Sequence, residues 1–162
     1  MSEIPLYSQL DPRWRDVKLG YSSLTIGSHG CVICCLAMML HAAGVPVTPP
    51  EVNEEMRKAR AFVAGSGRAI WSRITIAFPA ICCPKQQWYS SPRVRKVEVT
   101  DLPVLVELSL PTGPHWVLGI DWRGYLLVHD PLQPPERQRA ANLREFYPSA
   151  RITRSVTFER TK

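Results

Sequence analysis

The chain has 162 residues, of which 45% are hydrophobic and 21% are charged, and its formal net charge at pH 7 is +6. This length and composition exclude a disordered or fibrous chain and favour one globular domain over residues 1–162. Because no apolar stretch approaches the roughly 18 residues of a membrane-spanning helix, and Met1-Ser2-Glu3-Ile4-Pro5 lacks the basic start of a signal peptide, we expect neither feature.

The first half of the chain predicts loops and helices. The first thirty residues are rich in turn formers and predict an ordered loop region. A buried helix is predicted over residues 31–43, which are almost all apolar and are followed by Gly44 as the helix-ending residue. A second helix is predicted over about residues 49–60, with Val52 and Met56 on its inner face.

The second half predicts a sheet. Residues 69–78 suit a short helix, although Ile74-Thr75-Ile76 also suits a strand, and from Val97 onward the sequence is typical of β-structure. The predicted strands are residues 104–108, 115–122, 125–130 and 155–159. Helices followed by strands predict an α+β fold, in which the buried helix packs on a C-terminal antiparallel sheet.

Cys31 stands at the predicted start of the buried helix. Unpaired backbone N–H groups and the positive end of the helix dipole favour a thiolate at such a position, and Ser28-His29-Gly30 supplies capping groups and a flexible glycine. Cys34 and Cys35 lie inside the helix and are expected to be inert. Because a cysteine in an apolar helix is more often a small core residue, a catalytic role for Cys31 requires a base elsewhere.

His115 is the histidine that can meet a carboxylate. Arg123-Gly124 predicts a two-residue turn that pairs residues whose numbers sum to 247, which puts Asp130 opposite Val117. His115 shares a face with Val117 because strand side chains alternate, whereas His129 points to the other face. A four-residue turn would pair residues whose numbers sum to 245. It would still leave His115 and Asp130 on one face and His129 on the other.

A nucleophile, a base and an orienting carboxylate are therefore predicted together. Asp121 is six residues along the strand from His115, or about 20 Å at about 3.3 Å per residue, so Asp130 is the expected orienter. A single histidine in a strand is more often structural, but His115, Asp130 and Cys31 in combination indicate nucleophilic catalysis. The second donor for an oxyanion is predicted to be Gln9, the only glutamine before Cys31, although its position alone also suits a surface residue.

Short motifs occur in the same order along most of the chain. The first half contains Tyr7-Ser8-Gln9-Leu10-Asp11-Pro12-Arg13-Trp14, Leu19-Gly20, Thr25-Ile26-Gly27, Gly30-Cys31, Ala37-Met38, Gly44 and Pro49. The second half contains Pro114-His115-Trp116-Val117 and His129-Asp130-Pro131. Together these motifs resemble the peptidase C39-like family of the papain-like superfamily, except around residues 78–100.

The resemblance implies a papain-like cysteine peptidase domain. Its implied roles fall on Gln9 for the oxyanion hole, Cys31 for attack, His115 for proton transfer and Asp130 for orientation. The long segment between Gln9 and Cys31 looks more like the stand-alone branch than the transporter-fused members that cleave double-glycine leaders. A peptide or protein substrate is implied, and no metal or organic cofactor is required.

Other functions remain open at the level of the sequence. Cys31-Val32-Ile33-Cys34 is also the C-x-x-C pattern of a thiol–disulfide oxidoreductase, but no βαβ pattern precedes it. Adjacent Cys82 and Cys83 are poor geometry for two ligands of one tetrahedral ion, so no metal site is expected. The main alternative is a catalytically silent C39-like binding module that uses its basic surface to hold an anionic or protein partner.

The cysteines and basic residues bear on the compartment and the partners. The five cysteines lack the spacing of a secreted disulfide framework, so we expect reduced thiols and a cytoplasmic protein. The basic residues are Arg93, Arg95, Lys96, Arg137, Arg139, Arg144, Arg151, Arg154, Arg160 and Lys162. Because aromatic residues are not interleaved with them, we interpret them as solvated faces and do not expect a nucleic-acid partner.

Overall fold

The computed structural model describes residues 3–89 and 102–161. Seven residues named in the sequence predictions lie outside these ranges: Met1, Ser2, Arg93, Arg95, Lys96, Val97 and Lys162. All four candidate catalytic residues and all five cysteines lie within them.

Helices precede most of the strands along the described chain. The helices are α1 (Ile26–His29), α2 (Cys31–Ala42), α3 (Pro49–Lys58), α4 (Trp71–Ala77) and α5 (Leu143–Phe146), and a 3-10 turn spans Pro135–Arg137. The strands are β1 (Ile81–Trp88), β2 (Val104–Leu110), β3 (Gly113–Trp122), β4 (Leu126–His129), β5 (Ala141–Asn142) and β6 (Arg151–Arg160). They form one antiparallel sheet in the order β1-β6-β2-β3-β4-β5, which confirms the α+β prediction. In the described part of the chain, no helix is long and apolar enough to cross a membrane.

The predicted buried helix is confirmed as α2, which ends one residue earlier than predicted. Gly44 follows it with φ +88°, a left-handed conformation that a glycine adopts without the Cβ penalty. The Gly44 N–H donates to His41 O at 3.0 Å and the Val45 N–H donates to Leu40 O at 2.9 Å. These two bonds form a Schellman motif, so the predicted helix end at Gly44 has a definite hydrogen-bonded basis.

The second and third predicted helices are also present. At the start of α3, the backbone N–H of Thr48 donates to the carboxylate of Glu51 at 2.7 Å, which forms one half of a capping box. Val52 and Met56 are fully buried, as predicted for the inner face of α3. Within the predicted range 69–78, the residues Trp71–Ala77 form the helix α4, and Ile74-Thr75-Ile76 is helical and not a strand.

The sheet is buried on both faces, because alternate residues of its central strands enter different clusters. Leu105, Trp116 and Leu118 pack with the helices α1 to α4 in the larger core. Val106 and Val117, which point the other way, pack in a second cluster that includes Leu143 of α5. The helix α2 therefore lies against β3, as the sequence predicted.

The hairpin between β3 and β4 differs from the prediction at its turn but not at its open end. Trp122 pairs with Leu126, so the turn has three residues rather than the two predicted at Arg123-Gly124. A bulge between Gly119 and Asp121 then absorbs one extra residue. Beyond the bulge Leu118 pairs with His129, which restores the predicted sum of 247 near Asp130.

Arg154 differs from the other basic residues of the prediction that the structure describes. The guanidinium of Arg154 forms an ion pair with Glu107 at 2.7 Å, and it stacks on Trp88 and Trp116 at 4.5 and 4.8 Å from the ring centroids. The Arg154 side chain is only 17% exposed, so the prediction of a solvated face is wrong for this residue. Its charge is neutralised by the largely buried carboxylate of Glu107. The predicted exposure is confirmed for Arg137, Arg139, Arg144, Arg151 and Arg160.

Candidate active site

The junction between α1 and α2 positions Cys31 at the start of a helix. Thr25 and Ser28 cap α1 reciprocally, so the predicted capping role of Ser28 applies to α1 and not to α2. Gly30 links the two helices, and a Cβ at this position would lie 2.4 Å from the backbone O of Ile26. Only a glycine allows the chain to turn this closely into α2, which fixes where Cys31 emerges.

The N-terminus of α2 keeps its backbone donors available. Its N-cap residue, Gly30, makes no side-chain hydrogen bond to the helix. The first N–H groups of an α-helix have no partner within the helix, and here they include the N–H of Cys31 itself. Cys31 therefore has unpaired donors and the positive end of the dipole beside its thiol, as the sequence predicted.

The three cysteines of α2 differ in exposure. Cys31 is 9% exposed, whereas Cys34 and Cys35 are completely buried. Burial raises the pKa of Cys34 and of Cys35 well above the usual thiol range, and the Cys35 thiol also donates to Trp116 O at 3.7 Å. This environment agrees with the prediction that Cys34 and Cys35 are inert core thiols.

The His115 imidazole contacts both predicted partners. Its Nε2 lies 2.7 Å from Oδ1 of Asp130, and the Cys31 side chain is a hydrogen-bond partner of the same ring. Because Nε2 is held by Asp130, Nδ1 is the nitrogen that remains for the Cys31 thiol. The ring thus lies between the thiol and the carboxylate, although the three residues are widely separated in sequence.

Electrostatics favour the protonated form of His115. Burial alone would lower its pKa, but the hydrogen bond and charge of Asp130, together with the interactions with Cys31, outweigh that effect and raise the pKa to about 9. The imidazolium is therefore the dominant form of His115 at neutral pH. A positive charge at this position stabilises a neighbouring thiolate.

Asp130 is buried but fully supplied with donors. Besides His115, it accepts the Leu132 N–H at 2.9 Å on Oδ1 and the Tyr147 hydroxyl at 2.6 Å on Oδ2. Burial would raise the pKa of Asp130, but the imidazolium of His115 and these hydrogen bonds outweigh it and lower the pKa. The carboxylate is therefore charged when it faces His115.

Tyr147 is a site residue that sequence reasoning missed. It directly follows α5, its ring centroid lies 5.8 Å from that of His115, and its hydroxyl holds the second oxygen of Asp130. Burial and the neighbouring carboxylate raise the pKa of Tyr147, so its hydroxyl stays a donor. The only available signal was chemical, because a buried carboxylate needs a donor for each oxygen.

Gln9 is hydrogen-bonded both to the segment that precedes Cys31 and to the segment that follows Asp130. The Gln9 N–H donates to Pro131 O at 2.9 Å, next to Asp130, and the Gln9 Nε2 donates to Gly27 O at 2.9 Å in α1. Gln9 is 2% exposed, which rules out the alternative of an exposed surface residue. One Nε2 hydrogen is left to donate, and Oε1 has no partner among the described residues.

His129, His29 and the second carboxylate of the hairpin lie in different surroundings. His129 lies on the face of the sheet opposite to His115, as predicted. Burial there lowers the pKa of His129 to about 4, despite a hydrogen bond with the Pro5 backbone. His29 is exposed and bonds the Ser28 hydroxyl at 2.9 Å. Asp121, the carboxylate rejected on distance, forms an exposed ion pair with Arg123 at 2.9 Å. None of these contacts involves Cys31 or His115.

The chain matches no known protein-family model and no curated protein. The resemblance to the C39-like family therefore remains a prediction. The geometry itself combines a thiol at a helix start, an imidazolium beside it and a carboxylate that holds the imidazole, which are the components of nucleophilic catalysis.

Proposed function

We propose that this chain is a cysteine peptidase or amidase that hydrolyses peptide bonds. The observation that carries the proposal is the buried His115 imidazole, which contacts the Cys31 thiol on one side and lies 2.7 Å from Asp130 on the other. A nucleophile, a base and an orienting carboxylate in this order are the components of acyl transfer through a covalent intermediate.

We further propose that the fold is papain-like and that the chain is a stand-alone member of the C39-like family. Two features support this: the nucleophile begins the helix α2, and the base lies on the antiparallel strand β3 against which α2 packs. The motifs around Gln9, Cys31, His115 and Asp130 support the same assignment. The five free cysteines fit a reducing compartment such as the cytosol.

The first half of the reaction forms a thioester. The Cys31 sulfur attacks the carbonyl carbon of the substrate, and the carbonyl π electrons move to the oxygen. The N–H of Cys31 and the free Nε2 hydrogen of Gln9 are the proposed donors to this oxyanion. As the C–N bond breaks, the imidazolium of His115 gives its Nδ1 proton to the leaving amine.

The second half releases the acid. Neutral His115 removes a proton from water, which attacks the thioester carbonyl, and the C–S bond breaks to restore the Cys31 thiolate and the His115 imidazolium. Asp130 keeps the imidazole in one orientation throughout, because its Oδ1 accepts from Nε2 in both protonation states. The Tyr147 hydroxyl holds Asp130 in position by donating a hydrogen bond to its Oδ2.

The test is proteolysis of a defined mixture. Purified protein is incubated with a peptide library under reducing conditions, and products are identified by mass spectrometry. We expect cleavage by the wild-type protein and none by Cys31→Ser, because the serine hydroxyl is a far weaker nucleophile than a thiolate. Cys34→Ser is the matched control, since it removes a buried thiol of the same helix.

The same assay separates the proposal from a catalytically silent binding module. Such a module is expected to leave every peptide intact, and Cys31→Ser would then change nothing. Cleavage that persists in Cys31→Ser would point instead to a contaminating peptidase and would also contradict the proposal.

Gln9 gives a second test of the mechanism. We expect Gln9→Ala to lower kcat by about 10²- to 10³-fold with a smaller change in KM, because an oxyanion donor acts mainly in the transition state. Gln9→Glu should lose as much, since a carboxylate keeps the size but cannot donate. Steady-state kinetics on the best peptide of the library provides the measurement.

The expected loss must come from chemistry and not from unfolding. Thermal denaturation of both Gln9 variants checks this, because Gln9 also holds Gly27 through Nε2. An unchanged kcat in folded Gln9→Ala would remove Gln9 from the oxyanion hole.

A further inference from the structure

A group of metal-binding side chains lies outside the candidate active site, where β1 pairs with β6. Cys82 of β1 is directly opposite Glu159 of β6, and Cys83 follows Cys82 in the chain. One ligand atom from each of these residues lies within 4.8 Å of the other two. Cys82 is partly buried, and Cys83 and Glu159 are exposed, so an ion can reach the group.

A bulge makes this grouping possible. Adjacent residues of a regular strand point to opposite faces, which is why Cys82 and Cys83 were not expected to bind one ion. The pairing with β6 shifts register between Cys82 and Lys85, and Cys83 has φ +50°, a left-handed conformation rare for a residue with a side chain. The two sulfur atoms consequently lie within 4.8 Å of each other, and the sequence-based objection does not hold.

The geometry points to a binding site for a divalent zinc-type ion, with the thiolates of Cys82 and Cys83 and the carboxylate of Glu159 as the three protein ligands. Tetrahedral zinc with sulfur at about 2.3 Å and oxygen at about 2.1 Å requires ligand atoms roughly 3.5–3.8 Å apart. The present separations, up to 4.8 Å, need a contraction of about 1.3 Å at most, which rotation of the exposed Cys83 and Glu159 side chains can supply. Two sulfur ligands favour zinc over magnesium or calcium.

A lysine is paired with the carboxylate of this group. The Lys85 ammonium lies 2.8 Å from Oε1 of Glu159 and neutralises its carboxylate.

The bound ion would connect an edge strand to the sheet. Among the strands of residues 3–89 and 102–161, β1 is at the end of the order and pairs only with β6. An ion held by Cys82 and Cys83 on β1 and by Glu159 on β6 links the two strands through side chains. We therefore expect zinc to raise the thermal stability of the folded chain, as any ligand specific for the folded state does.

The experiment uses Co²⁺ as a coloured substitute for zinc, with the full chain carrying Cys31→Ser so that the thiol of the candidate active site cannot contribute. The protein is reduced, and its thiols are counted after denaturation to establish that Cys82 and Cys83 are free. We expect one equivalent of Co²⁺ to produce thiolate-to-cobalt charge-transfer absorption that zinc removes by competition. Cys82→Ser or Cys83→Ser should each lower that absorption by roughly half, and the double variant should abolish it.

Glu159→Gln tests the third ligand. We expect it to weaken Co²⁺ binding at least about tenfold, in line with the loss of one ligand from a site, whereas Glu136→Gln, which removes an exposed charge elsewhere, should leave binding unchanged. Zinc should raise the Tm of the protein with both cysteines and not that of the double variant. Absence of charge-transfer absorption with excess Co²⁺, or its persistence in the double variant, would overturn the proposal.

Discussion

Asp130→Ala is expected to lower kcat/KM for peptide hydrolysis by about 10³- to 10⁴-fold, while Asp130→Asn keeps a larger part of the activity. Oδ1 of Asp130 meets only donors, namely His115 Nε2 and the Leu132 N–H. An asparagine can therefore place its amide oxygen there and still orient the imidazole. Alanine leaves Nε2 without an acceptor in a buried position, so both the orientation and the charge of His115 are lost.

The pH profile separates orientation from charge. The negative charge of Asp130 contributes to the raised pKa of His115, about 9, and an uncharged asparagine removes that contribution. The imidazolium then loses its proton at a lower pH, so the alkaline limb of kcat/KM should move to lower pH in Asp130→Asn. Steady-state kinetics between pH 5 and 10 measures the shift.

Two variants control this prediction. Asp121→Ala removes the other carboxylate of the same hairpin, which pairs with Arg123, and should leave kcat/KM unchanged. Tyr147→Phe removes only the donor to Oδ2 of Asp130 and should cost about tenfold or less. If Asp130→Ala is as active as Asp121→Ala, Asp130 has no part in the reaction.

The predicted hairpin explains why the His115–Asp130 pair could be anticipated from sequence. Which side chains share a face of a strand depends only on their alternation along it. The predicted face of a residue is therefore still correct when the turn is predicted wrongly, provided that the two strands regain the predicted register. Here a three-residue turn and a bulge at Ile120 offset each other, and Leu118 still pairs with His129. The turn itself could not be predicted, because Arg123-Gly124 suits several loop lengths.

Contacts between distant segments could not be predicted from residue patterns. The Gln9 N–H reaches Pro131 O across more than a hundred residues, and Ser8 supports it by donating to Gln133 O at 2.7 Å. Tyr147 reaches Asp130 from the segment after α5. No local periodicity predicts such long-range contacts. Gln9 was predicted from its being the only glutamine before Cys31 and from the family resemblance, whereas no pattern in the sequence indicated which residue would donate to Asp130.

The strand β1 was missed for a related reason. Pro84 interrupts its sequence, and Cys82-Cys83 precedes it without the alternation of a half-buried strand. The structure accommodates both with the bulge and the left-handed Cys83 on an edge strand. The same local irregularity that hides the strand from sequence analysis is what brings the two thiols together.

The most direct test of the proposed ion pair is the pH dependence of alkylation at Cys31. In the wild-type protein we expect the rate with limiting iodoacetamide to be nearly constant between pH 5 and 8, because His115, with a pKa of about 9, stays protonated and stabilises the thiolate. In His115→Ala the rate should instead fall steeply as the pH is lowered, because the imidazolium that stabilises the thiolate is gone and only the thiolate reacts. Mass spectrometry of each cysteine peptide gives these rates without knowledge of the substrate.

The chain contains its own references for this measurement. Cys83 is exposed and has a raised pKa, so its alkylation should show the full pH dependence in every variant. His29→Ala removes an exposed imidazole two residues before Cys31 and should leave the wild-type profile intact. If Cys31 in the wild-type protein follows the same slope as Cys83, no thiolate–imidazolium pair forms. If the alkylation rate of Cys31 stays independent of pH in His115→Ala, the helix dipole alone stabilises the thiolate. His115 then has only a structural role beside Cys31.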